Sequence, residues 1–133
     1  MLLLDTSGWI EYLRDTGSPA CAEVARLVRR PASLATTEPI VMELLAGAST
    51  PRALRELETL TAGLALLSVD IAVDYHDAAG IYRAARSAGR TIRRMNDCLI
   101  AAVAARTGAT LVHRDTDFDI IADVVPLDSR RLR

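Results

Sequence analysis

Leu2-Leu3-Leu4-Asp5-Thr6-Ser7 sets three apolar residues against one carboxylate and two hydroxyls. A short apolar run halted by turn-forming polar residues reads as a buried strand. The same design returns in Thr110-Leu111-Val112-His113, followed by Arg114-Asp115-Thr116-Asp117. Segments of helical period lie between. The pattern predicts strands over 2–4, 33–36, 64–69, 110–113 and 124–127. It predicts helices over 8–14, 19–30, 38–46, 51–62, 97–106 and 117–122, and a long one between Asp70 and Gly89. Ser18-Pro19 and Thr50-Pro51 each pair a capping hydroxyl with a first-turn proline. Asp70 and Asn96 read as caps for the two helices that follow them. Ile71, Tyr75, Ala78, Ile81, Tyr82 and Ala85 read as the inward face of the long one. Strands alternating with helices predict an α/β fold, a three-layer α/β/α arrangement with a mostly parallel central sheet.

That fold gives the acidic residues a meaning. Ligands of open parallel sheets bind beyond the carboxyl ends of the strands. Asp5, Asp115 and Asp117 follow their strands directly. Asp97 opens a helix that must run back across the sheet to the strand at Thr110, so its start belongs near the same rim. Glu43 interrupts Ile40-Val41-Met42-Glu43-Leu44-Leu45 one turn inside a helix after the strand at Ser33. Ionised carboxylates beside buried surface are costly unless paired or bound to metal. Hard cations such as Mg2+ and Mn2+ take several carboxylate oxygens from separate elements. Taken singly, Asp5 reads as a helix cap, Asp97 as a first-turn acid and Asp115 and Asp117 as turn residues.

Composition bounds the alternatives. The chain has 133 residues, half of them hydrophobic, which suits one domain over 1–133 with its own core. A net charge of −1 implies no polyanion partner by itself. Every basic residue is arginine; no lysine occurs. Arg83, Arg86, Arg90, Arg93 and Arg94 crowd the segment before Asp97, either a solvated face or a phosphate-contacting patch. Cys21 and Cys98 make no disulfide framework and fit a reducing cytoplasm. The longest apolar run, Cys98 to Ala105, is too short to span a bilayer. Two cysteines and two histidines far apart match no zinc spacing. Phosphatase or receiver chemistry after the first strand would need a lysine that the chain lacks. A His113–Asp115 acid–base pair is the remaining metal-free reading.

Leu4-Asp5-Thr6-Ser7 and Glu38-Pro39-Ile40-Val41-Met42-Glu43-Leu44-Leu45-Ala46-Gly47 resemble the opening half of PIN-domain ribonucleases. Asn96-Asp97-Cys98-Leu99-Ile100-Ala101-Ala102 and His113-Arg114-Asp115-Thr116-Asp117-Phe118 resemble the closing half, most closely that of VapC-type toxins. The resemblance covers nearly the whole chain and implies a PIN-like fold. It also implies a Mg2+- or Mn2+-dependent endoribonuclease that leaves a 5′-phosphate and a 3′-hydroxyl on transfer or ribosomal RNA. Asp5, Glu43, Asp97 and Asp115 take the family's acidic places, with Asp117 an additional ligand in some relatives. Asp5, Asp97 and Asp115 would hold one cation. Glu43 with Asp117 would orient water or help hold a second. Thr6 or Ser7 supplies the hydroxyl after the first acid, and Asn96 stands beside Asp97 in a supporting place. Arg93, Arg94 and Arg114 are candidates for the RNA backbone. The implied partners are a VapB-type antitoxin, whose arm crosses the acid rim, and a second copy in a homodimer. The non-enzymatic alternative is a catalytically silent PIN-like module that holds RNA or protein.

Overall fold

The computed structural model describes residues 1–133. The elements in chain order are β1 (Leu2–Leu4), α1 (Thr6–Leu13), α2 (Pro19–Val28), β2 (Leu34–Thr36), α3 (Glu38–Ala46), α4 (Pro51–Ala62) and β3 (Ala65–Leu66), then α5 (Asp74–Ser87), α6 (Met95–Thr107), β4 (Thr110–His113), α7 (Thr116–Val124) and β5 (Ser129–Arg131). All five strands are parallel, in the order β3-β2-β1-β4-β5. Right-handed crossovers then put α1–α4 on one face and α5–α7 on the other. The three-layer expectation holds.

The sheet order fixes where a ligand can sit. From β1 the chain winds outward through β2 to β3, then returns to the other side of β1 as β4. The β1–β4 seam is therefore the switch point, and a crevice opens beyond the carboxyl ends of these two strands. Leu4 pairs with Val112, and the Asp5 N–H donates to the Val112 carbonyl at 2.9 Å. Asp5 and Asp115 thus leave neighbouring strands at that crevice.

Packing locks the seam. Leu3, Leu4, Leu34, Ala35, Leu111 and Val112 are wholly buried. Burial of each leucine contributes about 2 kcal/mol before cavity effects. Gly8 lets α1 close down on β1. A methyl group there would lie 2.6 Å from Leu4 Cδ1 and 3.0 Å from Leu132 Cδ1. On the opposite face, α6 is buried from Asp97 through Ala104 without a break. Its run Cys98-Leu99-Ile100-Ala101-Ala102-Val103-Ala104 has no polar side, as a helix enclosed by neighbours requires. Gly108 ends it at φ 71°, in the left-handed region that glycine reaches without strain.

Several boundaries differ from expectation. The last strand is Ser129–Arg131, not 124–127: Val124 ends α7, and the arginine-rich segment pairs with β4 instead. The third strand is only Ala65–Leu66. Asp70 does not cap α5, which begins at Asp74; the Asp74 carboxylate instead accepts the Asp70 N–H at 2.7 Å. Ile71 (82% exposed) and Tyr75 (57% exposed) consequently face outward. Asn96 does not cap α6 either; Arg94 holds that position and Asn96 lies inside the first turn. The caps at Ser18 and Thr50 form as expected, each accepting a backbone N–H at 3.0 Å.

Candidate active site

Four elements deliver the five carboxylates. Asp5 ends β1 and caps α1, while Glu43 comes from the middle of α3. Asp97 lies in the first turn of α6; Asp115 leaves β4 and caps α7, whose first turn carries Asp117. Carboxylate oxygens of Asp97, Asp115 and Asp117 lie within 4.8 Å of one another. The charge of Asp5 acts on Asp97, and that of Glu43 acts on Asp5. Asp5, Asp97 and Asp117 are almost wholly buried.

Their hydrogen bonds are unequal. Asp5 Oδ2 accepts from the Ser7 N–H at 3.0 Å and the Ser7 hydroxyl at 2.6 Å, whereas Oδ1 is buried without a partner. Neither oxygen of Asp97 has a hydrogen-bond partner. Burial therefore raises the pKa of Asp5, against the Ser7 bonds and with help from Glu43. Burial pushes Asp97 up to about 8; the Arg94 charge opposes this, and the Asp5 charge, a proton shared toward the neighbouring Asp117 carboxylate and the Asp115 charge add to it. Asp115 accepts from the Asp117 N–H at 2.9 Å and from Arg93 and Arg94 at 2.9 and 3.1 Å. Asp117 accepts from the Arg93 N–H at 3.1 Å and from Arg93 Nε at 3.3 Å.

The donor set fits a hard divalent cation. Three buried carboxylate oxygens, one from Asp5 and two from Asp97, have no proton donor to meet them. The carboxylates that share one position are those of Asp97, Asp115 and Asp117; Asp5 and Glu43 are not in that group, and no sulfur or imidazole atom joins it. Oxygen-only donors of this kind suit hard divalent cations over softer metals.

The surrounding residues answer other expectations. Of the two hydroxyls after Asp5, Ser7 does the bonding, and Thr6 Oγ1 is buried without a partner. Ser7 Oγ also accepts the Arg114 N–H at 2.8 Å, tying the loop after β4 to Asp5. Asn96 Nδ2 donates to Glu43 Oε1 at 2.5 Å, which fixes the acid that α3 brings to the site. The structure turns Arg93 and Arg94 onto the acids, and it turns Arg114 onto Glu11. His113 does not pair with the Asp115 carboxylate. Its Nδ1 accepts the Asp115 N–H at 3.2 Å, its Nε2 faces Asp119 at 3.8 Å, and burial lowers its pKa. Sequence reasoning missed Glu38, which accepts from Ser68 Oγ at 2.7 Å and the Val69 N–H at 2.8 Å. It also missed the buried Asp74, held by Arg106. Both ties span thirty or more residues, so no local pattern announces them.

Acids gathered at the switch point of a parallel sheet, with buried oxygens left unbonded, define an acid-centred α/β site of the hydrolytic type. The chain belongs to the PIN domain family, which matches residues 2–124. It is similar to ribonuclease VapC11 of Mycobacterium tuberculosis, with 54% identity over 134 residues covering 100% of both chains. Among solved structures, FitAcB of Neisseria gonorrhoeae is 26% identical with a TM-score of 0.71, covering 100% of this chain and 97% of that one. DNA-bound VapBC of Salmonella typhimurium superposes with a TM-score of 0.78 at 18% identity, over 98% of this chain and 96% of that one, and so shares the fold.

Proposed function

We propose that this chain is a single-domain, Mg2+- or Mn2+-dependent endoribonuclease, the toxin of a VapBC-type pair, which hydrolyses phosphodiesters of transfer or ribosomal RNA. The observation that carries the reading is the set of unmatched buried oxygens on Asp5 and Asp97. A silent binding module has no use for them, since buried acid oxygens left without a hydrogen-bond donor are destabilising. No helix is long and apolar enough to cross a membrane.

The chain's own residues divide the work. Asp5, Asp97 and Asp115 would hold the ion, with Asp117 beside them, and Ser7 keeps one oxygen of Asp5 occupied so that the other faces inward. When bound, a divalent ion polarises the phosphoryl oxygen and lowers the pKa of a coordinated water. Glu43 is held by Asn96 through Oε1; its Oε2, which faces Arg94 at 3.7 Å, would orient the attacking water and accept its proton. Arg114 pairs with Glu11 and Arg93 with Asp115 and Asp117, so Arg94, the least firmly held of the three, is the one left for the RNA backbone. In-line attack leaves a 5′-phosphate and a 3′-hydroxyl.

Two surfaces support the partners. A groove of about 500 Å3 between α1, α3 and α4 is lined by Ile10, Leu13, Leu44, Leu57 and Leu60. Thr6 and Glu43 line it as well, so it runs into the acid site. We place an apolar segment of the antitoxin there. Met42, Ile71, Tyr75 and Met95 expose apolar surface beside the other edge of α3, which suits a second copy.

The test is cleavage of transfer and ribosomal RNA by the purified chain with Mg2+ or Mn2+, and again with chelator. Cleavage that chelator abolishes and Asp97→Asn eliminates supports the reading. Cleavage that survives both sinks it.

A further inference from the structure

Two arginines reach the acid site, and they are held differently. Arg93 is anchored by its backbone: its N–H donates to Asp117 Oδ2 at 3.1 Å, and its side chain reaches Asp117 Oδ1 at 3.3 Å and Asp115 at 2.9 Å. Arg94 spans three acids from three elements, Glu43 at 3.7 Å, Asp97 at 3.5 Å and Asp115 at 3.1 Å. Only the contact with Asp115 is a hydrogen bond. The oxygens of Asp97 stay unbonded even with this guanidinium alongside. Arg94 therefore meets the acids as a diffuse positive charge and not as a fitted fork. Its side chain is 51% exposed and can swing into solvent on its long stem.

We propose that Arg94 is a tethered counter-cation that balances the acid site before the divalent ion arrives and yields that position to it, while Arg93 stays docked. The inference rests on the metal reading given under Proposed function. Its physical basis is competition. Glu43, Asp97 and Asp115 cannot face a dication at full strength while a guanidinium shares them, and the dication and guanidinium repel each other at the same short range. Arg94 thus lowers metal affinity and stabilises the metal-free chain. Once displaced, it stands at the rim with a free planar fork, the geometry that suits a phosphodiester.

Mn2+ binding to the metal-free chain, measured by titration calorimetry and by loss of the free-ion EPR signal, tests this without any turnover. Arg94→Gln should tighten Mn2+ binding about tenfold and lower the melting temperature of the metal-free chain. Arg93→Gln should tighten it less, because that side chain's bonds to Asp117 also position a ligand. Arg94→Lys should restore most of the wild-type affinity through charge alone. Unchanged or weaker Mn2+ binding in Arg94→Gln overturns the proposal. A second readout needs no variant: Mg2+ titration followed by 15N NMR of the arginine Nη–H groups, through which both side chains reach Asp115. The Arg94 signal should move toward that of free arginine while Arg93 keeps its bound shift. If both signals stay bound at saturating Mg2+, the proposal fails. A wild-type chain that takes up no divalent ion fails the parent reading as well, so the two failures are distinguishable.

Discussion

Asp74 and Asp97 are both wholly buried aspartates near the start of a helix, and both have an arginine within reach. Their fates are opposite. Asp74 accepts two bonds from Arg106, each at 2.9 Å, and a third from the Asp70 N–H at 2.7 Å. The Arg106 bonds, with that N–H, hold its carboxyl below the usual range in spite of burial. Asp97 accepts no hydrogen bond, and burial drives it up to about 8. Arg106 adds a bond at 2.7 Å to the Ser68 carbonyl, so its fork joins α6 to the loop before α5. A buried acid with every oxygen met holds the fold together. One left unmet marks a position kept for something that arrives later.

The sharpest way to break this contrast is Asp97→Asn. RNA cleavage should fall by about a thousandfold or more, the order of loss seen when a group central to charge stabilisation is removed. Circular dichroism should show an intact fold, and the metal-free chain should become more stable by about 1–2 kcal/mol. A loss of stability like that of a structural acid would erase the distinction. Arg106→Ala is the mirror experiment. It strands the Asp74 charge and should cost about 3 kcal/mol in denaturant melts, while the folded fraction still cuts RNA.

Asn96→Ala should leave stability nearly unchanged and slow cleavage about tenfold, as loss of a group that orients an active-site acid does. pH separates the two aspartates by sign. Asp74 is depressed in the fold, so its stabilisation is complete above about pH 4 and is lost as pH falls through its folded pKa. Asp97 is raised, so its folded form keeps a proton that the unfolded chain releases. Metal-free stability should therefore decline as pH climbs from about 4 toward about 8. Melting curves across that range check both slopes, and Asp97→Asn should remove the second. The smallest effect is expected at Asp123, which is exposed and meets only Arg90 at 3.5 Å. Asp123→Ala should change stability by less than about 0.5 kcal/mol and cleavage not at all.

The sequence made one side of this contrast visible and hid the other. Asp5, Glu43, Asp97, Asp115 and Asp117 were legible because each ends, interrupts, opens or closely follows an apolar run, a local conflict that packing alone does not explain. Asp74 was not, although it too ends an apolar run, Ile71-Ala72-Val73, because the arginine that holds it lies 32 residues away. The same division runs through the fold. Leu2–Leu4 and Thr110–His113 declared themselves as strands by their own hydrophobicity. Ser129–Arg131 did not, because β4 pairing, and not local propensity, makes it a strand. Val124 and Val125 looked like a strand, yet α7 claims the first as its last residue and the second as its cap. Tyr75 was assigned inward on helical period, but the Asp74–Arg106 pair orients that end of α5 and leaves the ring outside.

Gly8 carries no polar atom and stands outside the acid site, yet the contact it permits has reach. Leu4 lies directly beneath it, next to Asp5, and Ser7 is its immediate neighbour. A methyl group there presses first on the Leu4 and Leu132 side-chain ends, and a larger side chain, with no room left, would lift the helix and draw the serine away from the carboxylate it aims. A saturation scan scored on toxicity should accordingly rank this bystander beside the aspartates, and a designer seeking an inert yet foldable antigen could silence the protein from there without touching a single charge.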